Sequence, residues 1–449
     1  MTAGTPTTTF LAHGLGGSAD LPIPFSYALV GAAWALTASF AVLAFAWRTP
    51  RLDPDAPGYA LPDRARCLVD SAVIREVLGW LALVFTGWVA IVAFFGSQRS
   101  DANPLPGVVY VLWWVGLVAC SVVFGPVWRI ISPVRTVHRL LCRLARRSPD
   151  AALVRYPESW GYRSAVVGLF AFVWLELAAP DPGSLSAMRT WCLLYLAVTR
   201  LGTVLCGTRW CERTDPFEVY STLASRLSAV GRRGSSGPVV LRRPLDHLGS
   251  MAVRSGSVAL MATLLGSTVF DSFSAQPWWR GVVDELSADS PLPSSVTAVL
   301  LHTVGLSTVI LFVGGSFWFA ARATGGLDRR QRAALPGQLS HALIPIVIGY
   351  VFAHYLTYLV EKGQATLILL AAPLGLGDLQ VSYLLSGHPR VLASIKVGSV
   401  LLGHVLGVIA AHDRSLRLLP RTHQLTGQLT LLLTMVTYTF GGLCLLFGG

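Results

Sequence analysis

Few titratable residues of this 449-residue chain lie inside its long apolar stretches, and those few are grouped. His354, Tyr355, Tyr358 and Glu361 occupy one stretch, where a turn of about 100° per residue puts His354, Tyr358 and Glu361 on one stripe of a helix. His302 lies at similar depth in the stretch before it. Glu176 sits between Leu175 and Leu177 in an earlier stretch, Asp271 ends another, and His404 lies between Gly403 and Gly407 in a later one. A titratable side chain in hydrocarbon is costly unless paired, hydrated or buried in protein, so each of these marks a candidate site. Imidazole, carboxylate and phenol together suit capture of a cationic solute, a proton relay, or ligation of a transition metal, with His302 and His354 as candidate metal ligands. His302, His354 and His404 on three consecutive spans would also supply axial ligands to a haem. His13, Asp20, Asp378 and His388 add side chains from the segments nearby. There is no HExxH, no EF-hand loop, no Walker A loop and no nucleophile elbow, which sets aside the soluble ATPase, hydrolase and dehydrogenase classes. The seven cysteines form no CxxC pair, so neither a disulfide framework nor a zinc box is implied.

The elements that must position these residues are membrane helices. Hydrophobic residues make up 53% of the chain and charged residues 13%, about half the charged share of soluble domains. The spacing predicts an all-α, polytopic transmembrane bundle of about ten spans, near residues 25–47, 78–96, 107–127, 163–179, 190–207, 255–271, 296–320, 340–360, 391–411 and 425–447. Of the 35 Lys and Arg residues, 28 fall in the loops after the odd-numbered spans and 5 in the loops after the even-numbered ones. Cations in short loops resist translocation, so both termini are expected outside and the arginine-rich loops in the cytoplasm. The net charge of +12 is then a product of orientation, and nucleic acid is not an expected partner. Residues 1–24 read as an extracytoplasmic tail and 25–447 as one membrane domain. The tail has no cation ahead of the first apolar stretch, so that stretch is expected to be retained as a span.

Most remaining features read as architecture. Residues 129–147 alternate arginines with Ile, Val and Leu, the pattern of a helix lying among anionic lipid headgroups. Residues 209–254 read as a flexible cytoplasmic hairpin, Ala365 to Ala372 as a short surface segment, and Pro345 as a kink. Lys396 is expected to snorkel to the surface, Trp113 and Trp114 to pack against core or lipid, and Gly403 with Gly407 to let a neighbouring helix come close.

The segments HGLGGSADLPIP (His13 to Pro24), FDSFS (Phe270 to Ser274), AHYLTYLVEKGQ (Ala353 to Gln364) and GHVLGVIAAHDR (Gly403 to Arg414) resemble those of a widespread group of actinobacterial multi-span membrane proteins. That resemblance implies a bacterial plasma membrane and the same topology, and it brings no activity with it. Three functions stay open: a carrier for a small solute or metal ion using the His and carboxylate groups of the outer half; a membrane-embedded oxidoreductase holding a transition metal or haem; and an accessory subunit whose polar groups meet a membrane partner.

Overall fold

The computed structural model describes residues 21–234 and 237–447. The tail residues His13 and Asp20 lie outside the described residues. Among the described residues, eight helices are long and apolar enough to cross a membrane. They are α1 (Phe25–Ala46), α2 (Ala72–Phe95), α3 (Leu105–Phe124), α9 (Ser257–Ser274), α11 (Ser294–Arg322), α12 (Arg329–Leu374), α13 (Pro389–Leu418) and α14 (Thr426–Phe447). The other two expected spans are also helices, α5 (Arg163–Leu177) and α6 (Leu185–Cys206). At 15 residues α5 is short of the roughly 20 that a bilayer demands, and α6 carries Arg189 and Arg200. Large apolar side chains face away from the protein: Phe45, Phe95 and Phe319 are 75%, 86% and 70% exposed. In water that would be a liability; against lipid it is solvation.

The loops sort to two ends. At one end Asp413 accepts hydrogen bonds from Trp47 Nε1 (3.0 Å) and the Arg51 amide (2.6 Å), and Arg242 reaches the Pro54 carbonyl (3.4 Å). At the other, the rings of Phe25 and Phe447 lie 6.5 Å apart and Gln276 donates to the Leu445 carbonyl (3.2 Å). The first and last described helices therefore share an end, opposite the arginine-rich loops.

Between α12 and α13 the backbones nearly touch. A Cβ on Gly403 would lie 2.6 Å from the Pro345 carbonyl and one on Gly407 2.8 Å from the Ala342 carbonyl, so only glycine fits, as the small-residue spacing predicts. Pro345, the expected kink, lies where the helix is interrupted. It follows a short 3-10 turn and lies in the first turn of the α-helical segment Leu343–Thr357, where its missing N–H costs nothing. Ala365 to Ala372 is not a separate surface piece either, because it continues α12 through a π-helical turn.

Three segments depart from the sequence reading in ways that matter for the interior. Residues 209–254 are not simply a surface hairpin. The short helix α7 (Thr208–Thr214) folds back along α6, and Asp215 at its end accepts from Tyr195 Oη (2.9 Å), the eleventh of the 22 residues of α6. From that depth α8 (Pro216–Ala224) returns, with Phe217 centred 4.2 Å from Trp113, Tyr220 4.7 Å from Trp114, and Ser221 Oγ 2.8 Å from Ser121 Oγ. The pair makes a re-entrant hairpin wrapped in aromatic rings. A three-stranded antiparallel sheet, β1 (Tyr59–Ala60), β3 (Val239–Leu241) and β2 (Val230–Arg232) in spatial order, follows it at the arginine-rich end. Helix α4 (Pro133–Leu144) supplies the anchor: Arg135 makes a bidentate bond to Glu218 (2.6 Å to each oxygen), and the Glu218 side chain is fully buried. Its arginine run is therefore more than an orientation signal. Lys396 is 1% exposed, turned into the bundle and not to the surface.

Candidate functional site: an acidic cleft between two π-helical turns

Two breaks in regular helix meet in the interior. Val108–Gly116 of α3 and Tyr358–Lys362 of α12 are π-helical and pack on each other. Such turns bond i to i+5, widening the helix, and recur at functional sites. Each contributes a tyrosine, Tyr110 and Tyr358, to one cleft of about 390 Å³. Glu176 and Asp271 line the same cleft, and exposed Asp181 and Arg280 stand at its rim. Tyr110 Oη donates to the Pro182 carbonyl (3.1 Å), which pins the loop after α5 to α3.

Glu176 is positioned by the short length of α5. The helix ends one residue later at Leu177, and Trp174 Nε1 ties the last turn to Thr303 Oγ1 of α11 at 2.8 Å. Glu176 is only 6% exposed, and its Oε1 is buried with no hydrogen-bond partner. A carboxylate in the last turn of a helix also meets the negative end of the helix dipole. Burial, an unmatched oxygen and the dipole all disfavour the anion unless a cation arrives.

Asp271, six per cent exposed on α9, is held differently. Its Oδ2 accepts from Tyr355 Oη at 2.7 Å and faces His354 Nε2 at 2.9 Å, while His354 Nδ1 is 3.4 Å from Ser272 Oγ. With Nε2–H donating to the carboxylate, Nδ1 accepts from the Ser272 hydroxyl, so one imidazole tautomer satisfies both contacts. A polar chain Ser272, His354, Asp271 thus leads from the packed helices to the cleft, with Tyr355 as a side branch at Asp271.

Among the sequence candidates, Glu176, Asp271, His354 and Tyr358 come together. Glu361 does not join them: its oxygens accept from the Ser386 amide (2.8 Å) and hydroxyl (2.6 Å). A common stripe requires α-helical turns, and the π-helical segment changes the angle between Tyr358 and Glu361. His302 packs among Phe270 and Trp279, each ring centre 6.1 Å away, with Nδ1 unpartnered. His404 is fully buried beside Tyr350, its Nδ1 2.9 Å from the Val400 carbonyl. Neither lines the cleft. His388 Nδ1 is satisfied locally by the Leu384 carbonyl at 2.9 Å. Among the described residues, no group of three or more His, Cys, Asp or Glu side chains is arranged to hold a metal ion. Sequence reasoning missed Tyr110, which sits in an uninterrupted apolar run and carries no spacing signal.

Fold and site together define a multi-pass helical membrane protein with a buried acidic cleft. Compared with family models, curated proteins and solved structures, the chain shows no significant match.

Proposed function

We propose that this protein is a carrier for a small organic cation in the bacterial plasma membrane, with both termini outside, the arginine-rich end cytoplasmic and the acidic cleft opening outward. The observation that carries the reading is Glu176, a buried carboxyl with an unmatched oxygen on the floor of a cleft it shares with Asp271. An amine entering there would meet two carboxyl groups and the rings of Tyr110 and Tyr358, which supply the aromatic faces that bind ammonium ions. Because the described residues assemble no metal-ligand set, an organic amine suits them better than a metal ion. The distribution of arginine supports the orientation. The chain from Ser272 through His354 to Asp271 offers a path along which a proton moves as the cation binds or leaves.

Uptake by reconstituted vesicles tests this. Wild-type protein should accumulate at least one of methylammonium, tetraethylammonium and putrescine saturably, and Glu176→Gln should lose at least tenfold of that rate at unchanged melting temperature. Absence of saturable uptake for all three, or full activity in the variant, overturns the reading.

A further inference from the structure

A second cavity, about 880 Å³ in volume, lies at the opposite end of the molecule, between the β2–β3 hairpin, the start of α2, the loop after α3 and the foot of α8. That volume is within the range of about 300–1,000 Å³ typical of small-molecule sites. Six arginines line it: Arg75, Arg129, Arg139, Arg226, Arg232 and Arg242. Two carboxylates, Asp55 and Glu76, also face it, and Glu76 is already taken by Arg143. Arg232 pairs with Asp70 (2.7 Å) and Arg129 approaches Glu218 (3.5 Å). The other four have no carboxylate within salt-bridge reach among the described residues. Arg75 and Arg139 donate to neutral oxygens of Asp70 and Thr136 (both 3.1 Å), and Arg226 donates to His247 Nε2 (3.1 Å) and the Ser250 hydroxyl. Arg242 is 9% exposed, and its Nε is buried without a hydrogen-bond partner.

These cations come from three separate regions of the chain, at residue 75, at 129–139 and at 226–242, so their convergence is a product of the fold and not of a local basic run. Arg242 is buried, Arg75, Arg139, Arg226 and Arg232 are half-buried and Arg129 is exposed, so gathering them costs desolvation and mutual repulsion, and burial with Arg129 and Arg242 nearby holds Arg226 below its usual range. A ligand with several negative oxygens removes both costs, because guanidinium forks match phosphate oxygens two at a time. Thr222 offers a further hydroxyl on the same wall, whereas the Ser225 and Ser250 hydroxyls already donate to the Thr222 and His247 carbonyls.

We propose that this cavity binds a polyanionic phosphate compound, either the pyrophosphate or phosphodiester portion of a soluble molecule or the same group on a lipid. The inference is independent of the carrier reading and uses none of its residues.

The test is calorimetric titration of delipidated full-length protein in uncharged detergent with inorganic pyrophosphate, repeated after adding phosphatidylglycerol in mixed micelles. Saturable pyrophosphate binding is expected, weakened at least tenfold by Arg226→Gln and by Arg75→Gln and unaffected by Arg421→Gln, which lies outside the cavity. Arg75 is only partly buried, so its variant keeps the test decisive should Arg226→Gln fail to fold. Competition by phosphatidylglycerol would assign the site to a lipid headgroup, and its absence to a soluble phosphate compound. No saturable binding of either probe, or equal binding by folded Arg75→Gln, overturns the proposal.

Discussion

Removing the charge of Glu218 should release the re-entrant hairpin without dissolving the bundle. Glu218 is wholly buried on α8, and Arg135 is the group that holds it, with two bonds of 2.6 Å and a side chain only 14% exposed. Glu218→Gln leaves a mostly buried guanidinium facing a neutral amide, a loss of about 3–5 kcal/mol for a broken buried pair. Arg135→Gln should cost less, because Arg129 stands 3.5 Å from the same carboxylate and can take over part of the charge. Replacing both, Arg135→Met with Glu218→Leu, should recover most of the loss, since apolar side chains of similar volume need no desolvated charge. Hydrogen exchange on purified protein reads this locally. At roughly 1.4 kcal/mol per tenfold, protection in the 208–227 peptides should fall about a hundredfold to several thousandfold in Glu218→Gln while α12 and α13 keep theirs. Unchanged exchange over 208–227, or a double variant worse than either single one, would refute the claim that this ion pair anchors the hairpin.

Other outcomes follow from the same geometry. Gly403→Val drives a methyl-bearing Cβ into the Pro345 carbonyl and should lower stability by about 2–3 kcal/mol, whereas Gly398→Ala, with nothing within 4 Å of its Cβ position, should cost nothing; equal melting temperatures for the two would count against the close α12–α13 contact. His247 is half-buried, and desolvation, followed by the charges of Arg226 and Arg242, pushes its pKa down to about 4. Its folded value is below the unfolded one, so the unfolded chain binds the extra proton first and stability should drop as pH falls from about 6.5 toward 4, by at most about 3 kcal/mol. His247→Gln should flatten that slope in thermal melts at pH 7.5 and 5, and parallel slopes would rule the cause out.

The helices were legible because a bilayer imposes its own length and apolarity on a sequence. The sorting of loops to two ends was legible because arginine marks one of them. Glu176 and Asp271 stood out as carboxyl groups in apolar runs, and both reach the cleft. What stayed hidden depended on contacts between distant segments. The stretch 208–227 mixes Arg, Asp and Pro with Phe and Tyr and is too short and polar to read as a span. It enters the interior only because Arg135, 83 residues away in sequence from Glu218, neutralises the acid it carries. Likewise Glu361 left the expected stripe because a π-helical turn has no sequence signature strong enough to read. Lys396 looked like a snorkelling side chain five residues from a helix end, but the fold gives it an interior place. The six arginines of the large cavity looked like orientation signals in separate loops, and only tertiary structure shows that they surround one space.

The central claim, that Glu176 is an accessible cation-binding carboxyl in an otherwise packed interior, is tested most directly by chemical labelling. Membrane vesicles treated with a hydrophobic carbodiimide, then digested and analysed by mass spectrometry, report modification at each carboxyl. Glu176 should be labelled, Glu218 should stay unmodified in its ion pair, and a transported amine at saturating concentration should reduce the Glu176 label at least fivefold. A Glu176 label that no amine diminishes, or none at Glu176 in folded protein, would contradict the account.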